Sequence, residues 1–428
     1  MVLLSKRVKE PLSVMVKPVG SLCNLQCSYC YYLKTDVSKT GASMMSEALL
    51  EIFIKQYIEA SPGPNVQFTW HGGEPSLAGI DFYEQVLSLQ KRYLPAGWNC
   101  WNNLQTNGLV LDDQWVAFLA RNQFDIGLSI DGSGKLHDSY RVDHIGKGTH
   151  QRVSQNLQRM LKYGIKPDLL CTVNANNVHQ PLEVYHSLKS YKTGWLQFIP
   201  IVVPMEDGFS QETIIAQDYG SFLIAVFDEW LLNDFGDVYI QFFLEAALVL
   251  SGHAATLCWM APSCGTVLVV EHDGSVYSCD HFVDQEHCLG NINNTHLRNI
   301  ADSSVQKAFG QIKQDTLPSQ CIECQWLNLC QGGCPKDRLL FLNTDEKRLN
   351  YLCQGYQYFF RDAAERLKIL GAMILSGEND SSIKNFFQNE LRRKWRGVGP
   401  KDLCPCGSLK NAKDCCWSKR PAIAIHRK

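Results

Sequence analysis

Between residues 12 and 234, short apolar runs alternate six times with amphipathic stretches, and this alternation limits the fold more than any other feature of the chain. Runs suited to strands lie near 12–19, 65–71, 98–106, 125–131, 166–174 and 194–202. Stretches with helical spacing lie near 46–60, 80–94, 112–123, 149–164, 181–192 and 217–234. Six βα units in series predict an α/β domain on a parallel sheet, with its site at the carboxyl ends of the strands. Periodicity alone admits both an open doubly wound sheet and a barrel.

The first strand runs into Cys23-Asn-Leu-Gln-Cys27-Ser-Tyr-Cys30, a C-x3-C-x2-C loop. A cubic iron–sulfur cluster needs one ligand on each of four irons, so three thiolates leave the last iron open to a small molecule. A three-cysteine zinc site uses the same ligands. The second strand ends in His71-Gly72-Gly73-Glu74-Pro75, where paired glycines let backbone approach a ligand and a carboxylate can accept from an ammonium group. The third strand ends in Gln105-Thr106-Asn107-Gly108 and the fourth in Ser129-Ile130-Asp131-Gly132, followed by His137-Asp138-Ser139-Tyr140-Arg141.

Eighteen cysteines in 428 residues are far more than an ordinary cytosolic enzyme carries. No apolar stretch reaches the roughly 18 residues of a membrane span, and Lys6, Arg7 and Lys9 lead into a strand rather than a signal-peptide run. The expectation is a cytoplasmic protein without a membrane partner, in which metal explains the thiols better than disulfides. Cys100, Cys171 and Cys288 stand alone as small core or surface residues. Cys258, Cys264, Cys279, Cys321, Cys324, Cys330, Cys334 and Cys353 make two sets of four, enough for two fully ligated clusters or two structural zinc ions.

An Asp-Gly hairpin is predicted at 267–278, a cysteine-rich loop region at 321–353 and a helical pattern from about 355 to 395. After the Gly-Val-Gly-Pro linker at 397–400, Cys404, Cys406, Cys415 and Cys416 form C-x-C-x8-C-C, a set able to close a zinc site or, less compactly, a further cluster. Three domains are expected: 1–235, 236–395 and 396–428. Residues 391–428 carry a net charge of +9 against −11 for the rest and −2 overall, so the tail suits nucleic acid, an acidic protein surface or plain solvation.

The Cys23–Cys30 loop together with Gly72-Gly73-Glu74-Pro75 resembles the radical S-adenosylmethionine (SAM) enzymes. That resemblance implies a partial (β/α)6 TIM-like barrel and a SAM whose amine and carboxylate chelate the open iron. It also implies that Gly72, Gly73 and Glu74 hold the amine and that Tyr29 covers the adenine side. Ser129 would make a polar SAM contact, or be a strand-end turn; Arg141 would reach the SAM carboxylate, or be a surface ion pair. The later cysteines resemble the two-cluster SPASM domain, which implies Cys258, Cys264, Cys279 and Cys334 on one [4Fe-4S] cluster and Cys321, Cys324, Cys330 and Cys353 on another, three clusters in all.

Ser278-Cys279-Asp280-His281-Phe282-Val283 is similar to the anaerobic sulfatase-maturating enzymes, which oxidise a Cys or Ser followed by x-Pro-x-Arg, or a near variant, in an unfolded sulfatase polypeptide to Cα-formylglycine. The resemblance implies electron supply by a flavodoxin or ferredoxin. Asp280 is the candidate base for the thiol or hydroxyl proton, or a turn cap beside a metal ligand. Tyr32 and His71 are candidate peptide contacts. Another peptide-modifying enzyme of this architecture, forming a thioether or crosslink, is the alternative. The terminal cysteines resemble the SEC-C zinc motif, a protein-contact appendage.

Overall fold

Alternation of apolar and polar residues makes each barrel strand two-faced, and the computed structural model shows what each face meets. It describes residues 12–34, 44–342, 345–405 and 410–414. In β1 (Ser13–Lys17) and β2 (Asn65–Trp70), Val14, Val16, Val66, Phe68 and Trp70 are buried. They pack under α1 (Glu47–Ala60) and α2 (Ile80–Tyr93), with Trp70 against Phe53, Phe68, Phe82 and Tyr83 at ring separations of 5.7–6.3 Å. Truncating Trp70 to alanine there costs about 3–5 kcal/mol. The other face carries Thr69, Asn103, Gln105, Ser129 and Thr172, half-buried and polar.

The remaining units are β3 (Asn99–Thr106), α3 (Asp113–Arg121), β4 (Asp125–Ser129), α4 (His150–Lys162), β5 (Asp168–Val173), α5 (Pro181–Lys189), β6 (Trp195–Pro200) and α6 (Ala216–Glu229). All six predicted βα units are present. Strands β1 to β6 pair in sequence order, each parallel to the next. Right-handed crossovers that always advance in one direction put every helix on the same face, whereas a doubly wound sheet requires a reversal of strand order. The order has no reversal, which selects the partial barrel.

The sheet continues past both ends of the barrel. After β7 (Tyr239–Ile240), parallel to β6, and α7 (Gln241–Leu250), the chain returns as β8 (Val267–Glu271), which pairs parallel with β1 through five residues, Lys17 opposite Glu271. Strands β9 (Ser275–Tyr277) and β10 (Cys288–Asn291) extend it antiparallel to ten strands, so the expected hairpin is an extension of the barrel sheet.

Three expectations change. Helix α8 (Ser304–Asp315), which the sequence pattern did not predict, precedes the cysteine-rich loop region. The helical pattern of 355–395 is two helices, α9 (Cys353–Leu375) and α10 (Asp380–Lys394), separated by Gly377 at φ +76° and capped anew by Asn379. Inside the region read as loop, β11 (Arg338–Leu342) pairs with β12 (Asp345–Asn350). Among the described residues no helix is long and apolar enough to cross a membrane.

Candidate active site

At the strand ends the glycines of the second motif serve close packing. Gly73 N–H donates to the Gly20 carbonyl at 2.9 Å and Glu74 N–H to that of Leu22 at 2.8 Å. A Cβ on Gly73 would lie 2.2 Å from the Leu22 oxygen, and Gly72 has φ +117°. This backbone seam sets the chain that leads into Cys23. Glu74 is fully buried: Oε1 accepts from Ser76 and Thr106, and Oε2 accepts from the Asn107 N–H at 2.7 Å. Oε2 has capacity for a further donor. Asn107 also donates to Cys23 Sγ at 3.8 Å and Asn24 Oδ1 at 2.7 Å, tying the third strand end to the cysteine loop.

Asp131 organises the next group. It accepts from the Tyr29 hydroxyl (2.6 Å), Arg141 Nε (2.8 Å), and the Thr172 N–H and hydroxyl (2.8 and 2.7 Å). Burial works to raise its pKa, but the Arg141 guanidinium outweighs it and holds the carboxyl below its usual range. Arg141 is therefore a buried ion-pair partner, not a surface one, and its charge bears on the Cys27 thiol. Ser129 is half-buried and accepts from Gln105 at 3.3 Å. Burial pushes the Cys23 and Cys27 thiols up to about 12 and about 11; a metal bound there takes the place of those protons.

A second polar cluster lies where β1, β2 and β8 end. Lys17 Nζ is 2.6 Å from Asp280 Oδ1 and 3.8 Å from Glu271 Oε1, and Tyr31 donates its hydroxyl to Asp280 Oδ2. Tyr32 is 2 % exposed, its hydroxyl committed to both oxygens of Glu271 and its ring beneath the Lys17 ammonium at 3.5 Å. Its neighbour Tyr31 is 38 % exposed. Burial favours a protonated Asp280, yet the Lys17 ammonium, foremost, holds it well below the usual carboxylate range. His71 Nδ1 is buried without a partner in the described residues, and burial holds the imidazole neutral.

The later cysteines gather in two groups. Cys321, Cys324, Cys330 and Cys353 line one cavity with Trp326, Tyr356 and Phe360. Cys258 lies in the field of Cys264, Cys279 and Cys334, and burial raises the Cys279 and Cys334 thiols to about 12. Helix α8 lies against this second group. Its Gln306 donates to the carbonyls of Gly265 (2.9 Å) and Ser278 (3.3 Å), next to Cys264 and Cys279, while the Gly310 carbonyl accepts from Cys264 N–H.

Profiles of known families match two segments: the radical SAM superfamily over residues 18–187 and SPASM, an iron–sulfur cluster-binding domain, over 258–325. The serine-type anaerobic sulfatase-maturating enzyme of Bacteroides thetaiotaomicron is 38% identical over 392 residues, covering 87% of this chain and 94% of that one. The cysteine-type enzyme of Clostridium perfringens (strain 13 / Type A) is 35% identical over 368 residues, 83% and 97% of the two chains. This chain belongs to the anaerobic sulfatase-maturating enzyme family. The structure of native anSMEcpe with bound AdoMet and Cp18Cys peptide superposes with a TM-score of 0.78 at 32% identity, covering 85% of this chain and 99% of that one. Streptococcus suis SuiB bound to precursor peptide SuiA, 14% identical with a TM-score of 0.59, shares the fold.

In this sulfatase-maturating family member, sequence reasoning missed Lys17, Tyr31, Asp131 and Glu271. Asp131 lies two residues after Ser129 and Glu271 falls within the predicted hairpin, and a charged residue ending an apolar strand is the available signal for Lys17 and Glu271. In the terminal module, Cys404 is buried with Trp395 and Ala412, its N–H donating to the Lys410 carbonyl. Cys406, Cys415 and Cys416 lie outside the described residues.

Proposed function

We propose that this chain oxidises a Cys or Ser residue of an unfolded sulfatase polypeptide to Cα-formylglycine in the absence of oxygen. The observation that carries the reading is the carboxylate of Asp280, 2.6 Å from the buried Lys17 at the strand-end mouth that also receives the Cys23–Cys30 loop. Cys23, Cys27 and Cys30 would hold a SAM-binding [4Fe-4S] cluster, Cys258, Cys264, Cys279 and Cys334 a second, and Cys321, Cys324, Cys330 and Cys353 a third. When bound, these groups and SAM supply hydrogen-atom abstraction from unactivated carbon and a route for the electrons released.

The chain's own residues do the rest. Gly72 and Gly73 keep the backbone close, Glu74 would hold the SAM amine, and Tyr29, Ser129 and Arg141 would line the remainder of that pocket. His71 and Tyr31 meet the peptide, and Tyr32 braces Lys17. Asp280 accepts the thiol or hydroxyl proton as the side-chain carbon is oxidised. A flavodoxin or ferredoxin supplies electrons in the cytoplasm. The module beyond 396 would take Zn2+ on Cys404, Cys406, Cys415 and Cys416 as a SEC-C-like contact for another protein, after the barrel (1–235) and the cluster domain (236–395).

Asp280→Asn tests this directly: SAM cleavage to 5′-deoxyadenosine continues while aldehyde formation falls by about 10² or more, the usual contribution of a general base. Unchanged aldehyde yield removes Asp280 from the reaction, and no 5′-deoxyadenosine from the unmutated reduced protein removes the enzyme reading.

A further inference from the structure

Two cations are buried in the cysteine-rich domain without a carboxylate partner among the described residues. Lys313, 0 % exposed, lies on the same face of α8 as Gln306 and Gly310. Its Nζ donates to the carbonyls of Cys258 (2.8 Å), Trp259 (2.8 Å) and Ala261 (2.5 Å). Arg338, 7 % exposed at the start of β11, donates to the Thr316 hydroxyl at 2.6 Å and to the carbonyls of Gln331 and Gly332. These partners are dipoles, and a buried charge with dipoles alone is costly unless an anion lies close by.

The neighbouring groups able to carry that negative charge are thiols of both sets. Lys313 interacts electrostatically with Cys264, Cys258 and Cys334 of one set and Cys330 of the other. Arg338 interacts with Cys321 and Cys330 of one set and with Cys264 and Cys334 of the other. The hydrogen bonds agree: Lys313 holds the carbonyl of Cys258 itself, and Arg338 holds those of Gln331 and Gly332, which lie between Cys330 of one quartet and Cys334 of the other.

We propose that Lys313 and Arg338 form a fixed positive seam between the two cysteine quartets, which raises the electron affinity of the clusters they hold. The inference rests on reading the eight cysteines as ligands of two [4Fe-4S] clusters. One-electron reduction adds one negative charge to a cluster without bond making or proton uptake, so a nearby fixed cation stabilises the reduced form more than the oxidised form. The electron donor is the substrate side-chain carbon during its oxidation. Both cations then favour transfer out of the barrel, and they screen the two anionic clusters from each other.

The test uses the full chain with Cys23, Cys27 and Cys30 replaced by alanine, so that only the later cysteines hold iron. Iron and sulfide are counted first: zinc or no cluster at these eight cysteines overturns the underlying assignment. With clusters present, EPR-monitored redox titration of Lys313→Gln and Arg338→Gln is expected to show the reduction equilibrium weakened at least tenfold, a midpoint lowered by about 59 mV for one electron. Lys313→Arg and Arg338→Lys should restore it. Unchanged midpoints at full iron content overturn the proposal while leaving the clusters in place. Loss of iron from the glutamine variants alone supports it, and loss from all four variants overturns it, because shape rather than charge is then what matters.

Discussion

At the residue scale the decisive question is why a buried carboxylate stays ionised. Burial alone would protonate Asp280; Lys17 at 2.6 Å is the largest opposing influence. The depressed pKa means that the base form is present throughout the neutral and mildly acidic range. Lys17→Met removes that influence, so the carboxyl pKa rises and aldehyde formation should acquire an acid limb, falling as pH drops, where the unmutated enzyme stays flat. A pH profile of formylglycine yield checks this, and a flat profile in the variant would contradict it. Because one partner of a buried pair is lost, stability should also fall by about 3–5 kcal/mol. Asp280 was legible in the sequence because it follows Cys279 in a recognisable string. Lys17 was not, because its partner position opposite Glu271 arises only when β8 pairs with β1 across most of the chain.

At the element scale, the loops between strands and helices do the positioning. Gly73→Ala would drive a Cβ into the Leu22 carbonyl and displace the lead-in to Cys23. The expected result is loss of the iron held by Cys23, Cys27 and Cys30 with retention of the rest, read from iron content and from the disappearance of SAM cleavage; full iron with normal cleavage would count against the seam. His137 performs a similar task between the end of β4 and the start of α4. Its Nδ1 accepts from Asp131 N–H at 3.2 Å while Nε2 donates to the Thr149 hydroxyl at 3.0 Å, itself bonded to the Arg141 carbonyl.

That arrangement requires neutral imidazole, and burial lowers the His137 pKa from 6.5 to about 3. A histidine depressed in this way binds its proton only in the unfolded chain between those values. Its stabilisation is therefore full above pH 6.5 and declines by about 1.4 kcal/mol per pH unit as pH falls toward 3. Denaturation midpoints measured from pH 7 to 4 should show that slope reduced in His137→Gln; parallel curves would deny His137 the role. Helices 47–60 and 80–93 matched their sequence patterns closely because an uninterrupted apolar stripe defines each one, with Ser46 capping the first. Helix α8 escaped because its buried face is Gln306, Phe309 and Lys313, two polar residues whose burial depends on loop carbonyls distant in sequence.

At the scale of the whole molecule, one ten-stranded sheet joins the barrel to the cysteine-rich domain, so the end of β8 brings Glu271, and the chain just after β9 brings Asp280, to the same mouth as the ends of β1 and β2. The barrel was legible as six repeated units, whereas the choice between barrel and doubly wound sheet required strand order, which local periodicity does not encode. The cysteine spacing announced the second domain but not its attachment. The central claim, that this mouth oxidises a peptide side chain, is tested most directly by mass spectrometry of a sulfatase-motif peptide after anaerobic incubation with reduced protein and SAM. The expected result is a loss of about 18 mass units from a Cys peptide or about 2 from a Ser peptide, together with 5′-deoxyadenosine. SAM cleavage with both peptide masses unchanged would contradict it.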